Sequence, residues 1–270
     1  MKDTPLFLLK MDKNIKLKLK SLMTNFVTFG SDSYYQGLAK KTLSQFIGIY
    51  KNSNTKLYTS SDLTQEVLEN AKKYRRGFGY YFWKPFVYNL MITESKDGEV
   101  SLYFDSRSGI SDKFFDKFIL KIKKMNWFNT FLENEKYDIA AWQTNFEENQ
   151  WTTGDIFNLF SLNLDSPHAA TGHYTDIFFS VRKNKKTLAF FENLQKVTEA
   201  NSYIFSPNDS KLENSKNFVE SRYVQSLFSL MLKINEQDLN IFNINPEDIT
   251  SSKSILPHRY MHEGNKINLT

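Results

Sequence analysis

Cysteine is absent from the 270 residues. That removes disulfides, thiol catalysis and Cys-ligated zinc, and it fits a reducing compartment. Long apolar runs are missing as well: none approaches the roughly 20 residues needed to cross a bilayer. The opening MKDTPLFLLKMDKNIKLKLK has too short an apolar stretch and no small-residue cleavage site, so no signal peptide is expected and a cytoplasmic location is. There is no internal repeat, low-complexity tract or convincing linker. The chain therefore reads as one domain over 1–270, with a basic arm at 1–20 and a polar tail at 250–270. Nucleic-acid signatures are lacking too, and 30 acidic side chains are interspersed among 35 basic ones, so no nucleic-acid partner is expected.

What is present suits an ordinary globular α/β protein with a sizeable core. Hydrophobic residues make up 40% and charged residues 24%. Aromatics are abundant, with 24 Phe and 14 Tyr; they are either Phe-rich core or surfaces on which sugar rings stack. The formal charge of +5 favours anionic partners such as sugar nucleotides or anionic lipid surfaces.

The apolar pattern predicts a strand at Phe26–Phe29, ended by Gly30-Ser31-Asp32, then a helix from Gln36 to Tyr50. A strand, a small-residue turn and a helix open a nucleotide-binding α/β unit, although Gly30 belongs to no Gly-x-Gly-x-x-Gly loop. A second short strand is expected at Leu57–Thr59, and Ser60-Ser61-Asp62 is expected to cap a helix through Tyr74. The aromatic turn after Gly77 leads into a helix through Asn89 and Leu90. The apolar stretch Val100 to Phe104 then reads as a buried strand that delivers Asp105 to its C-terminal end, where open α/β sheets present ligand groups. Further strands are expected at Tyr137–Trp142 and Asp176–Arg182. Helices are expected over Ile156–Leu162, from Asn184 onward, and over Arg222–Ile234. Gln143 to Gln150 reads as a polar loop, and Asn201 to Asn217 as a mobile one. A helix capped by Ser111 carries Lys113, Lys117, Lys121 and Lys124 on one face, which is either solvated or laid on an anionic membrane.

The stretch from Gly77 to Gly109 also resembles a family. Gly77, Gly79, Tyr80, Trp83, Lys84 and Pro85, then Asp97-Gly98, then Tyr103 and Asp105 match a Gly-x-Gly-Tyr-x-x-Trp-Lys-Pro segment, an Asp-Gly turn and a strand ending Tyr-x-Asp. That pattern is found in bacterial GT-A-type glycosyltransferases of surface-polysaccharide assembly. Both halves occur in order at the expected separation. Later matches are Trp151, Thr152, Asp155 and Ile156; Thr171 and Gly172; Arg182, Lys183 and Asn184; and Arg222, Tyr223, Gln225 and Ser226. They extend the resemblance from about Met23 to Ile234. The chain departs from the pattern at Thr153 or Gly154 (Lys in the family), His173 (Gln), Val224 (Asp) and Ser106-Arg107, where the second acid of an Asp-x-Asp is missing.

The resemblance implies a GT-A-like, mostly parallel central sheet flanked by helices. It implies transfer of a sugar from a nucleotide-sugar donor, with UDP first choice, to a glycan or lipid-linked glycan acceptor, with peripheral contact at the inner membrane. Mn2+ or Mg2+ is the implied cofactor, and Asp105 the implied metal-facing acid. Thr28, Phe29 and Gly30 would lie at the base or ribose. Lys84 would meet donor phosphate or carboxylate, or else pair with an acid under an aromatic lid. His258 and His262, spaced i,i+4, would add metal ligands from the tail, and Arg259 would grip the diphosphate. Arg107 would supply fixed positive charge beside Asp105. Asp155 is the preferred general base, with Asp176 and Glu220 as alternatives. Val224 and the missing acid leave a second reading open, a catalytically altered or inactive sugar-nucleotide or glycan-binding partner in an assembly complex.

Overall fold

The computed structural model describes residues 24–49, 53–106, 126–206 and 210–244. Its centre is a six-stranded sheet in the order β2-β1-β3-β7-β4-β8. The strands are β1 (Thr24–Gly30), β2 (Ser53–Thr59), β3 (Val100–Phe104), β4 (Ile139–Ala141), β7 (Phe178–Arg182) and β8 (Ile241–Asn243). Neighbours pair in parallel at β1–β2, β1–β3 and β4–β8, while β7 runs against β3 and β4. The mostly parallel α/β class expected from the sequence is therefore the one observed. Strands β5 (Gln143–Glu147) and β6 (Gly172–Tyr174) form a separate antiparallel pair.

Strand alternation sorts the core into two layers. On one face Phe26, Val100, Leu102 and Phe104 meet Leu43 and Phe46 of α1 (Ser33–Ile49) and Trp127, Phe128 and Phe131 of α4 (Asn126–Glu133). On the other, Val27, Phe29, Tyr103, Phe179 and Val181 meet α3 (Lys84–Glu94), α7 (Lys185–Ala200) and α8 (Val224–Ile234). In α1, Ala39, Leu43 and Phe46 recur at three- and four-residue spacing and are buried, as an amphipathic helix requires. The short helices α5 (Glu148–Trp151) and α6 (Gly154–Leu159) lie between β5 and β6 in the chain, and in α8 every residue from Val224 to Lys233 is buried.

Most expected boundaries shift by a few residues, and three expectations change in kind. Ser60–Asp62 forms a single 3-10 turn, closed by Asp62 on the Thr59 amide at 2.8 Å, and Thr64 caps α2 (Gln65–Lys73) instead. The polar stretch after Trp142 is β5 rather than a loop. Its partner β6 approaches so closely that a Cβ on Gly172 would lie 1.8 Å from the Thr144 carbonyl oxygen. The stretch expected to be mobile is tied down in part, since Asp155 accepts from the amides of Lys211 (2.9 Å) and Leu212 (3.0 Å).

Candidate functional site

Sheet growth reverses at β1: β2 is added on one side of it and β3 on the other. The crevice outside the carboxyl ends of strands at such a reversal is where open α/β sheets take ligands. Gly30 closes β1 and Asp105 follows β3 at that edge. Because β7 is antiparallel to β3, its start lies there too, and the Asp105 amide donates to the Ile177 carbonyl at 2.8 Å. This brings Asp176 beside Asp105.

Between the two acids lies Lys84. Its ammonium is 2.9 Å from Asp105 and 3.0 Å from Asp176, with Lys84 and Asp176 buried and the Asp105 side chain 22% exposed. Tyr103 donates to Asp105 Oδ1 at 2.8 Å, and Tyr88 donates to Asp176 Oδ2 at 3.2 Å and to its carbonyl at 3.1 Å. One ammonium against two carboxylates leaves the cluster with a formal charge of −1.

Burial pulls the Lys84 pKa down, but the carboxylates of Asp105 and Asp176 more than offset it and hold it above the ordinary lysine value. Burial raises Asp105, and Asp176 pushes the same way, while Lys84 opposes both. Burial, reinforced by the carboxylates, raises Tyr88 and Tyr103 as well. Both hydroxyls therefore stay protonated and act as donors.

An unusual turn positions Lys84. Gly77, Phe78, Gly79, Tyr80 and Tyr81 have consecutive φ values of 57°, 52°, 81°, 51° and 66°. This is a left-handed turn, closed by the Gly79, Tyr80 and Tyr81 amides on the Tyr74, Arg76 and Gly77 carbonyls. Left-handed geometry costs a non-glycine residue about 1–2 kcal/mol, and here aromatic packing offsets it. Trp83 donates its indole N–H to Gly77 O at 3.0 Å and stacks on Phe29 at 4.0 Å. Tyr80 packs on Tyr223 at 4.9 Å, and the Tyr81 ring lies 5.3 Å from the Lys84 ammonium. Pro85, in the first helical turn, has no N–H to leave unpaired there.

The other expected residues fall as follows. Phe29 lies on the Lys84 face of the sheet, stacked on Trp83, whereas Thr28 shares the α1 face with Phe26 and is fully buried. The Gly30 carbonyl accepts from Gln36 Nε2 at 3.4 Å. Asp155 is buried, and its carboxylate holds the Lys211 and Leu212 amides instead of joining Asp105. Glu220 is ion-paired with Arg76. Arg107, His258, Arg259 and His262 lie outside the described residues.

Three of the segments that carry the later resemblance meet at Glu148, which no motif in the sequence singles out. Fully buried, it accepts from Thr152 (2.8 Å), Ser229 (2.6 Å) and Lys233 (2.6 Å), and lies 3.0 Å from His173 Nε2. Gln225 reaches His173 Nδ1 at 2.7 Å, and Ser226 donates to the Trp151 carbonyl at 2.8 Å. Burial pushes the Glu148 pKa up, but His173 and Lys233 together bring it below the ordinary value. Burial lowers Lys233 despite Glu148. Two further matched residues are structural: Arg182 donates to the Phe131 carbonyl at 2.9 Å, and Lys183 to the Ile92 carbonyl at 2.6 Å. Val224, where the family has an acid, is wholly buried in the apolar core.

Among the described residues no group of three or more His, Asp or Glu side chains could hold a metal ion. The acid with an exposed surface in the cluster is Asp105. One such carboxylate, completed by phosphate oxygens and water, is the donor set that Mg2+ or Mn2+ takes in nucleotide sites.

No protein-family model and no curated protein matches this chain. In structure it is similar to a glycosyltransferase involved in the glycosylation of the major capsid of PBCV-1. Sequence identity is 12% and the TM-score 0.39, over 74% of this chain and 80% of that one. Among the described residues, no helix is long and apolar enough to cross a membrane.

Proposed function

We propose that the protein is a glycosyltransferase that takes a sugar from a nucleotide-sugar donor, a UDP sugar in the first instance, and adds it to a growing surface-polysaccharide glycan. The observation that carries this reading is the place of Asp105. It is the partly exposed member of a buried charge cluster, and it stands at the end of β3 beside the strand where sheet growth reverses. The sequence resemblance around Gly77–Asp105 supports it independently.

Breaking a glycosyl–diphosphate bond loads negative charge onto the leaving diphosphate, and that charge must be met. A cluster of formal charge −1 does not meet it unaided. Asp105 would hold Mn2+ or Mg2+ against the phosphate oxygens, and the cation would supply the missing positive charge. Tyr103 orients the Asp105 carboxylate, and Phe29 with Trp83 walls the adjoining face of the sheet. The acceptor is a glycan or lipid-linked glycan met at a membrane surface.

The test is a panel of UDP sugars assayed for transfer and for slow donor hydrolysis, with and without Mn2+. Turnover with at least one donor is expected, and Asp105→Asn should abolish it with the fold intact. Turnover of that variant at the wild-type rate would remove Asp105 from its role. Nucleotide binding without turnover across donors and acceptors would instead assign a catalytically altered or inactive sugar-nucleotide- or glycan-binding role in an assembly complex.

A further inference from the structure

We infer that Lys84 is a positioning residue, an internal counter-ion that fixes where the Asp105 carboxylate stands and does not itself touch the donor. This rests on the reading of Asp105 given above, but its evidence is separate. The side chain is 3% exposed, and its ammonium donates to two carboxylates. The Tyr81 ring lies 5.3 Å from it. A lysine so placed is not a hand held out to a diphosphate.

Its own position is determined on all sides. It is the first residue of α3, and the next four residues, Pro85 to Tyr88, are buried. Trp83 before it is stapled to Gly77 O and to Phe29. Asp176 holds the ammonium from behind and is in turn held by Tyr88. The result is a chain of contacts, Tyr103 to Asp105 to Lys84 to Asp176 to Tyr88, with a tyrosine fastening each end. Asp105 stands at the exposed end, where the polypeptide leaves β3. Lys84 and Tyr103 determine its orientation. Without the ammonium, two carboxylates would face each other in a buried space, and the exposed one is free to turn away.

The full-length protein tests this with Lys84→Met, Lys84→Arg and Asp176→Asn, each by crystallography and by calorimetry with UDP plus Mn2+. In Lys84→Met the Asp105 carboxylate should leave its place beside Tyr103, and UDP affinity should fall roughly tenfold or more. Lys84→Arg keeps the charge and should recover part of that loss. Asp176→Asn keeps the lysine but frees it from behind, and should fall between the two. An Asp105 carboxylate unmoved in Lys84→Met, with wild-type UDP affinity, overturns the inference. Should Lys84→Met not fold, Asp176→Asn decides: a displaced Asp105 with weaker UDP binding supports the inference, and an unmoved one with unchanged affinity overturns it. If the wild-type protein binds no UDP with either Mn2+ or Mg2+, the donor reading falls, while the crystallographic arm still decides the role of Lys84.

Discussion

Replacing Glu148 by glutamine keeps the shape of the side chain and removes its charge, and the structure indicates what that should do. Lys233 is buried with its ammonium 2.6 Å from Glu148, and removing one partner of such a pair costs about 3–5 kcal/mol. The carboxylate takes contacts from Thr152, His173, Ser229 and Lys233. An amide must turn its own N–H2 toward some of these donors, and a buried group left unsatisfied costs about 1–3 kcal/mol. The loss is thus on the order of 4 kcal/mol, a large share of the roughly 5–15 kcal/mol that holds a domain folded. At about 2–4 °C per kcal/mol for a chain near this size, Tm should fall by on the order of 10 °C. Urea unfolding followed by tryptophan fluorescence reads the free energy directly. Lys233→Met in the same background should recover part of the loss, because the orphaned charge goes with it. Acid titration gives a second readout. The folded pKa of Glu148 is lowered, so as pH falls the unfolded chain takes up the proton first. This contribution to stability is whole above the ordinary carboxylate value of about 4.3 and is lost as pH drops through the lower folded value. Glu148→Gln should therefore flatten the acid limb. Stability within about 1 kcal/mol of wild type, or no recovery in the double variant, would refute the reasoning.

Gly172→Ala should disrupt the β5–β6 pair, because its Cβ would meet Thr144 O at 1.8 Å; the expected loss is about 1–3 kcal/mol or more by denaturant unfolding. Asp155→Ala removes the acceptor for two backbone amides, so hydrogen exchange at Lys211 and Leu212 should accelerate markedly, with a stability loss of about 1–3 kcal/mol. If Asp155 also serves as a base, the variant loses turnover beyond what the loosened segment explains, which glycosyl-transfer kinetics at saturating donor would show. Arg182→Met leaves the buried Phe131 carbonyl without its guanidinium donor and should cost about 1–3 kcal/mol, read as a lower urea midpoint with unchanged slope.

Where local pattern and tertiary role agree, the sequence was informative. Val100–Phe104 is buried at every residue, as an uninterrupted apolar run of strand length suggests, and the acid after it stands at the sheet edge. Asn184 caps α7 through the Thr187 amide at 3.0 Å, as its position before an apolar-periodic helix suggests. What was not legible depends on partners distant in sequence. Strand β5 is half-exposed and polar, and only β6 makes it a strand. Strand β8 is three residues long and follows the last helix the sequence predicts. Glu148 sits in a Glu-Glu-Asn run that reads as solvated surface; the one local sign is Thr152 four residues on, which bonds it. The left-handed turn is announced by Gly77 and Gly79, but nothing local foretells that Phe78, Tyr80 and Tyr81 adopt the same hand. From the sequence Lys84 is either a donor contact or a structural pair, and only the antiparallel entry of Asp176 makes the second geometry visible.

That entry has a further consequence for what the chain tolerates. Asp176 precedes its strand while Asp105 follows its own, so the meeting of the two acids depends on Phe104 standing opposite Phe178. Slipping β7 by one position would turn its side chains over to the opposite layer. Phe179 and Val181 would be traded for Phe178 and Ser180, and Asp176 would leave the lysine facing a lone carboxylate. A single residue added or lost between Ile177 and Arg182 should therefore damage core and edge together. Changes of length are therefore least tolerated along this strand.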